Sequence, residues 1–193
     1  MNRMNIILDL DSTIIHSVEY DELVYLSSAF QNQFQYKDMI GYVRVFARPH
    51  LDYFLDYCFE HFDVSVLTAA DYAYGWFIIQ NFILTSPDRK LKYFMHHYHT
   101  EMADERYGKH KDLRVLFDIF QLQHMNNCNT VIIDDHPKVY SANGLNTIPA
   151  PAFLVIDEKT LIPNQSSVND IFLLQTIEKL EGMKQNFDIT GCI

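Results

Sequence analysis

Three short apolar runs that stop abruptly at polar residues constrain this chain more than any other feature. Met4-Asn-Ile-Ile-Leu8 ends at Asp9-Leu-Asp11, Phe62-Asp-Val-Ser-Val-Leu67 ends at Thr68, and Thr130-Val-Ile-Ile133 ends at Asp134-Asp135. Each is too short for an ordinary helix and rich in β-branched residues, so each reads as a strand buried on both faces. A fourth run, Phe153-Leu-Val-Ile156, ends at Asp157 and is read the same way. Helical periodicity fills the intervals. Pro49 suits a helix start, and Leu51, Phe54, Leu55, Cys58 and Phe62 line one face behind it. Asp71 is the expected N-cap of a helix carrying Tyr74, Phe77, Ile78 and Phe82. Leu113, Leu116, Phe117 and Phe120 repeat the spacing, as do Leu173, Ile177 and Leu180 before Gly182, the expected stop. Strands alternating with helices predict a doubly wound α/β fold with a parallel sheet.

The stretch from Ser17 to Ala47 interrupts that alternation. Leu23–Leu26 and Tyr42–Phe46 read as short strands, so a small antiparallel β insertion, about residues 18 to 47, is expected after the first core strand. At 193 residues and 48% hydrophobic, the chain is expected to form one domain over 1–193 with a substantial core. Its 15 Lys+Arg against 25 Asp+Glu give a net charge of −10, which opposes the counterion release that drives nucleic-acid binding. No apolar run is long enough to span a bilayer, and the N-terminus lacks a secretory pattern. The expectation is an intracellular protein of nucleus or cytoplasm, with no membrane and no direct nucleic-acid partner. Cys58, Cys128 and Cys192 are odd in number and widely spaced, which predicts free buried thiols and no disulfide framework.

In an open α/β sheet, ligands bind beyond the carboxyl ends of the strands, where this chain concentrates its acids and Thr68. Four converging carboxylates would repel and raise one another's pKa. A hard divalent cation resolves the conflict, and Mg²⁺ suits an all-oxygen site that keeps waters for a phosphate. Asp9 then suits a carboxylate nucleophile at phosphorus, and Asp11 a general acid and base. Thr68 suits a hydrogen-bond donor to a phosphoryl oxygen, and Lys111 supplies positive charge. Each feature alone also has a structural reading, as cap, turn or solvated side chain; their order and spacing favour the chemical one.

The string Asp9-Leu-Asp-Ser-Thr-Ile-Ile-His-Ser17 resembles the first motif, DxDx[TV], of the haloacid dehalogenase (HAD) superfamily. It is closer still to the DLDxTLxHS form of the FCP/SCP-like, or NLI-interacting-factor-like, phosphatases that act on the RNA polymerase II C-terminal domain and other phosphoproteins. The remaining motifs follow in family order. Arg48-Pro-His-Leu-Asp-Tyr-Phe-Leu55 resembles RPxxxxFL, Val66-Leu-Thr-Ala-Ala-Asp-Tyr-Ala73 the second motif, Lys111-Asp-Leu113 the KDL, and Val131-Ile-Ile-Asp-Asp-His-Pro137 the last motif. Asn146-Thr-Ile-Pro149 resembles an NAIP-like segment, so coverage runs from about residue 4 to 180.

The resemblance implies a HAD-type, Rossmann-like parallel sheet flanked by helices and a phosphoserine/phosphothreonine phosphatase working through an aspartyl-phosphate. It implies catalytic Asp9, Asp11, Thr68 and Lys111, with Thr68, Ala69 and Lys111 binding substrate. Mg²⁺ is expected on the Asp9 carboxylate, the Asp11 carbonyl and the Asp134-Asp135 pair, Asp135 being the favoured direct ligand. The implied partner is a phosphoprotein, with the polymerase C-terminal domain as one candidate. A HAD phosphatase for small molecules or nucleic-acid ends, and a catalytically silent phosphoprotein-binding module, stay open as alternatives.

Departures from the pattern bear on substrate. The family's Arg before KDL is absent from Tyr93-Phe-Met-His-His-Tyr-His99. Either a His replaces it, Arg106 reaches in from a shifted loop, or substrate charge is read differently, with Arg48 and Arg106 the nearest sources of added positive charge. The clustered His96, His97 and His99 lack helix-spaced metal-ligand geometry and read as a solvated or phosphate-facing loop. Tyr20, Tyr25, Phe30, Phe34 and Tyr36 either form a pocket for an apolar anchor or pack the insertion onto the core. His16 reads as a loop-orienting or structural histidine, and Tyr74 and Trp76 as core packing.

Overall fold

The computed structural model describes residues 3–193. Its main sheet is parallel, in the order β6-β5-β1-β7-β8, with β1 (Asn5–Leu8), β5 (Asp63–Leu67), β6 (Phe94–Met95), β7 (Thr130–Asp134) and β8 (Thr147–Pro149). All of β1 is buried, flanked by β5 and β7, with Leu8 level with Val66 on one side and Ile133 on the other. This alignment places Asp9, Thr68 and Asp134 at adjoining carboxyl ends, as the three apolar runs predict.

A second, antiparallel sheet has the order β2-β4-β3, from β2 (Ile15–Glu19), β3 (Tyr36–Met39) and β4 (Val43–Ala47). The insertion therefore begins at Ile15, earlier than expected. Leu23–Leu26 is no strand: Glu22–Tyr25 forms a 3₁₀ turn, followed by α1 (Ser28–Gln31). Nor does Phe153–Ile156 join the main sheet. Phe153, Val155 and Ile156 instead pack with Val18, Phe30, Phe34 and Phe46, so their apolarity serves the small sheet.

Helices α2 (Leu51–His61), α3 (Tyr72–Ile78), α4 (His97–Tyr107), α5 (Pro137–Asn143) and α6 (Phe172–Thr190) cover the sheet. Asp71 caps α3 as expected, its carboxylate accepting the Tyr74 N–H at 2.9 Å. The segment 113–120 is a single wide π-helical turn at Val115–Ile119 rather than a full helix. Gly182 does not stop α6; the helix runs to Thr190 and closes on Gly191, which takes the left-handed φ of +75° that favours glycine. Leu173, Thr176, Ile177, Leu180 and Phe187 keep one face buried past Gly182, and that packing outweighs glycine's weak helix propensity.

The cysteine expectation is also corrected. Cys58 is free and buried in the core, but Cys128 and Cys192 form a disulfide with Cα atoms 4.2 Å apart. The long α6 returns the chain end to the loop before β7, where the Ile193 N–H donates to the Cys128 carbonyl at 3.0 Å. A separation of 64 residues conceals that proximity. No helix among the described residues is long and apolar enough to cross a membrane.

Candidate active site

Asp9 leaves β1 at the floor of a 240 Å³ cleft that also exposes Asp11, Ser12, Thr68, Ala69, Lys111, Asp134, Asp135 and two histidines, His110 and His136. Asp9, Asp11, Thr68, Ala69, Lys111, Asp134 and Asp135, expected from the sequence to carry the chemistry, thus line one cavity. The loop after β1 turns tightly: the Leu10 carbonyl accepts N–H groups from Thr13, Ile14 and Ile15, and Ser12 adopts a φ of +58°. Lys111 holds a similarly uncommon φ of +47°. Asn143 of α5 steadies it, donating to the Lys111 carbonyl at 3.0 Å and accepting the Leu113 N–H at 2.9 Å. Two non-glycine residues in left-handed conformation beside one cleft show local backbone strain held by the surrounding fold.

Lys111 Nζ donates to Asp9 Oδ1 at 2.5 Å and to Asp134 Oδ2 at 2.7 Å, all three groups being buried. Burial opposes the ammonium charge, but the Asp9 and Asp134 carboxylates outweigh it and hold the Lys111 pKa above its ordinary value. Asp134 moves upward too, chiefly through burial and then the Asp9 charge, despite the lysine. Burial, with Asp9 again second, raises Asp135. Both partners of the ion pair shift upward, Lys111 because two carboxylates face it and Asp134 because burial, seconded by the Asp9 charge, outweighs the one ammonium.

Asp11 is pushed up to about 6, mainly by burial, although a hydrogen bond from the Tyr74 hydroxyl works against the rise. That hydroxyl also lies 2.5 Å from Ser17 Oγ. Tyr74 therefore exceeds the packing role expected of it and fixes the orientation of the Asp11 carboxylate. Trp76 stays with packing, stacked on Phe94 at 6.2 Å. Gly75 allows the same ring close to α3, since a Cβ there would lie 2.7 Å from Phe94. Thr68 Oγ1 accepts the Ala70 N–H at 3.1 Å, which leaves its own proton to donate into the cleft.

Thr13 was not singled out from the sequence, although the T of the DxDx[TV] pattern marks it. Its buried hydroxyl accepts the Asp135 N–H at 3.1 Å and donates to Asp9 Oδ2 at 2.9 Å, tying two strand tips together. Arg48 is placed behind the site rather than in it. Its guanidinium donates to the Thr13 carbonyl at 2.8 Å and pairs with Asp170, so it braces the loop and does not reach a ligand. Neither Arg106 nor the 96–99 histidines line the cleft. His96 and His99 instead close the start of α4, where the His96 N–H donates to His99 Nδ1 at 3.2 Å. His16 is structural: its Nδ1 accepts the Val155 N–H at 3.1 Å. Phe30 and Phe34 are buried in the insertion's own core, while Tyr20 and Tyr25 remain exposed.

Among the described residues, Asp9, Asp134 and Asp135 form the group able to share a metal, each offering a carboxylate oxygen within 4.8 Å of the others. The donors are all oxygen and in electrostatic excess, which fits a hard divalent ion. Both oxygens of Asp134 are already engaged, Oδ2 by Lys111 and Oδ1 by the His136 N–H at 2.8 Å. Asp135 is half-buried and touched only by Thr13, at 3.3 Å on Oδ1.

Acids that crowd one floor while retaining a buried ammonium and a free hydroxyl suit a phosphoryl group, and on a parallel sheet of this kind they mark a HAD-type phosphatase. Residues 4–190 match the model of the NLI interacting factor-like phosphatases, and the chain belongs to that family. It is similar to the putative CTD phosphatase-like protein 355R of Invertebrate iridescent virus 6, 34% identical over 79% of this chain and 87% of that protein. Its namesake in Invertebrate iridescent virus 3 is 35% identical over 93% of this chain and 96% of that protein. In structure it resembles a beryllium fluoride complex of fission yeast Fcp1, an RNA polymerase II CTD phosphatase, with a TM-score of 0.59 and 18% identity. The match covers 96% of this chain and 52% of that one, so this chain spans about half the length of the Fcp1 structure. That likeness concerns the fold.

Proposed function

We propose that this chain is a Mg²⁺-dependent phosphoprotein phosphatase that hydrolyses phosphoserine and phosphothreonine through an aspartyl-phosphate on Asp9. The observation that carries it is the pairing of an Asp9 carboxylate held by Lys111 and Thr13 with an Asp11 carboxyl pushed up to about 6. Asp9 attacks phosphorus, the bond from phosphorus to the seryl or threonyl oxygen breaks, and Asp11 gives that oxygen its proton. Water then attacks the aspartyl-phosphate, Asp11 takes the water's proton, and the Asp9–phosphorus bond breaks to release inorganic phosphate. A carboxyl raised to about 6 keeps a minority protonated population at neutral pH to give the proton and a majority ionised one to take it back, and so serves both turns. Thr68 donates to a phosphoryl oxygen, Ala69 lines the same wall, and Lys111 offsets charge as it develops.

Asp9, Asp135 and the Asp11 carbonyl would hold the Mg²⁺, with Asp134 keeping Lys111 in place. When bound, the ion would supply positive charge to offset that of the phosphoryl oxygens. The small antiparallel sheet contributes no residue to the cleft lining and so does not cap it, which favours a protein substrate. The polymerase C-terminal domain is a candidate, in nucleus or cytoplasm, and residues 1–193 would act as one domain. The test is Asp9→Asn with p-nitrophenyl phosphate and with a radiolabelled phosphopeptide. Hydrolysis and covalent label should both vanish in the variant, and EDTA should silence the wild type. Full activity in Asp9→Asn would refute the mechanism.

A further inference from the structure

Beside the catalytic cleft lies a second cavity of 480 Å³, lined by Asp104, Gly108, Lys109, His110, Lys138 and Ser141. Gly108 ends α4 in a left-handed conformation with φ of +64°, and this turn throws Lys109 and His110 outward. Lys138 and Ser141 come from α5 across the cavity. His110 lines both this cavity and the catalytic cleft, and its ring is 5.6 Å from that of His136 on the cleft wall. The two spaces thus adjoin at His110.

This cavity gathers positive charge on a molecule that is acidic as a whole. In a chain of net charge −10, most guanidinium groups are matched by acids, Arg44 with Asp38, Arg48 with Asp170 and Arg114 with Asp112, whereas Lys37, Lys90, Lys159 and Lys179 form no ion pair among the described residues and lie apart from the cleft and this cavity. Lys109 and Lys138 are exposed and form no ion pair among the described residues. The one acid in the cavity wall, Asp104, faces His110 Nδ1 at 3.2 Å and offsets one of the two lysine charges. Two exposed ammonium groups, in excess of the single acid, therefore face a cavity that adjoins a cleft for a phosphate.

We propose that this cavity is a specificity subsite for a second anionic group, a phosphate or carboxylate, on the same polypeptide as the hydrolysed phosphate. The proposal rests on the phosphoprotein reading above. A peptide whose phosphate sits over Asp9 passes His110 and His136 and brings a neighbouring acidic side chain between Lys109 and Lys138. Two lysines would release only about two counterions, too few to hold a nucleic acid on so acidic a protein. The subsite also supplies positive charge near a site whose own lysine is consumed by Asp9 and Asp134.

The test compares phosphoserine peptides that carry a second phosphoserine, or a glutamate, moved one residue at a time along the chain, against a neutral peptide. Turnover is measured on the wild type. Affinity is measured separately on Asp9→Asn by fluorescence anisotropy, so that the subsite is read even if the phosphoenzyme mechanism fails. The wild type should prefer one acidic register by roughly three- to tenfold in kcat/KM, and Asp9→Asn should show the same preference in Kd, as two exposed ion pairs allow. Lys109→Gln with Lys138→Gln should erase the preference, and the matching Arg variants should retain it. High salt should weaken it. An equal response to acidic and neutral peptides, a preference that survives both Gln substitutions, or stronger competition from a single-stranded oligonucleotide than from the acidic peptide would overturn the proposal.

Discussion

Arg48→Met should cost the protein about 3–5 kcal/mol of stability, although the residue touches no ligand. Its side chain is wholly buried, and it holds Asp170 by a two-pronged pair, at 2.9 Å through Nε and 2.8 Å through Nη2. Nη1 donates to the Thr13 carbonyl at 2.8 Å and the Pro151 carbonyl at 3.0 Å. The guanidinium also lies over the Phe172 ring at 4.4 Å. Removing the arginine leaves these acceptors in unequal positions. Asp170 is 18% exposed and Pro151 is exposed, so both regain water. Thr13 is fully buried, and its carbonyl loses its donor without replacement. An orphaned buried acceptor costs about 1–3 kcal/mol, and breaking the ion pair adds the remainder.

For a chain of this length each kcal/mol moves Tm by about 2–4 °C, so a fall on the order of 10 °C is expected. Arg48→Lys should recover only part of it, since an ammonium keeps the charge but cannot span Asp170 and two carbonyls. Chemical denaturation of Arg48→Met, Asp170→Asn and the double variant isolates the pair, whose coupling should exceed about 1 kcal/mol. Additive effects, or an Arg48→Met protein within about 1 kcal/mol of wild type, would refute the bracing role.

Tyr74→Phe removes the hydrogen bond that restrains the rise of Asp11 from its raised value of about 6, so the alkaline limb of the pH profile for kcat/KM should move upward by on the order of one unit; an unmoved limb would count against Asp11 as the acid. His16 is buried and held down to about 4, even with the largely exposed Glu158 carboxylate 3.9 Å from Nε2, because burial dominates. Between its unfolded value and about 4 only the unfolded chain binds the proton, so stability falls with pH in that window. The loss from this group between pH 7 and pH 5 is about 2 kcal/mol, and urea melts of His16→Asn should lack that increment. Cys128→Ser, like full reduction, should lower Tm by on the order of 10 °C, because a crosslink closing 64 residues restrains the unfolded chain by about 4 kcal/mol. Equal melting with and without reductant would show that the bond contributes nothing.

The middle of the sheet was legible because β1, β5 and β7 are buried on both faces, and unbroken apolar runs are how such strands look in sequence. The edges were not. β6 and β8 have two and three residues, too few for any periodicity to register. Phe153–Ile156 misled for the opposite reason, being apolar to cover the small sheet rather than to join the large one. The expected site residues converge because strand ends share one side of a parallel sheet. Thr13 escaped notice and Tyr74 read only as packing because their contribution is contact between segments distant in sequence, Tyr74 meeting Asp11 across 63 positions. The Cys128–Cys192 bond and the bracing position of Arg48 were hidden in the same way.

Taken singly, the parts of this site are unfavourable. A lysine is buried, two strand-end acids are buried beside it, and Ser12 and Lys111 occupy left-handed conformations that cost on the order of 1 kcal/mol or more each. They persist because each offsets another: Lys111 offsets Asp9 and Asp134, Thr13 links Asp9 to the Asp135 backbone, Asn143 holds the Lys111 turn, and Arg48 holds Thr13. The surplus negative charge that this network cannot offset is what a divalent ion and a basic neighbouring subsite would answer. Changes along the supporting chain, at Thr13 or Arg48, should therefore lower stability and turnover together, whereas changes at Lys109 or Lys138 should alter the choice of substrate while leaving the fold intact.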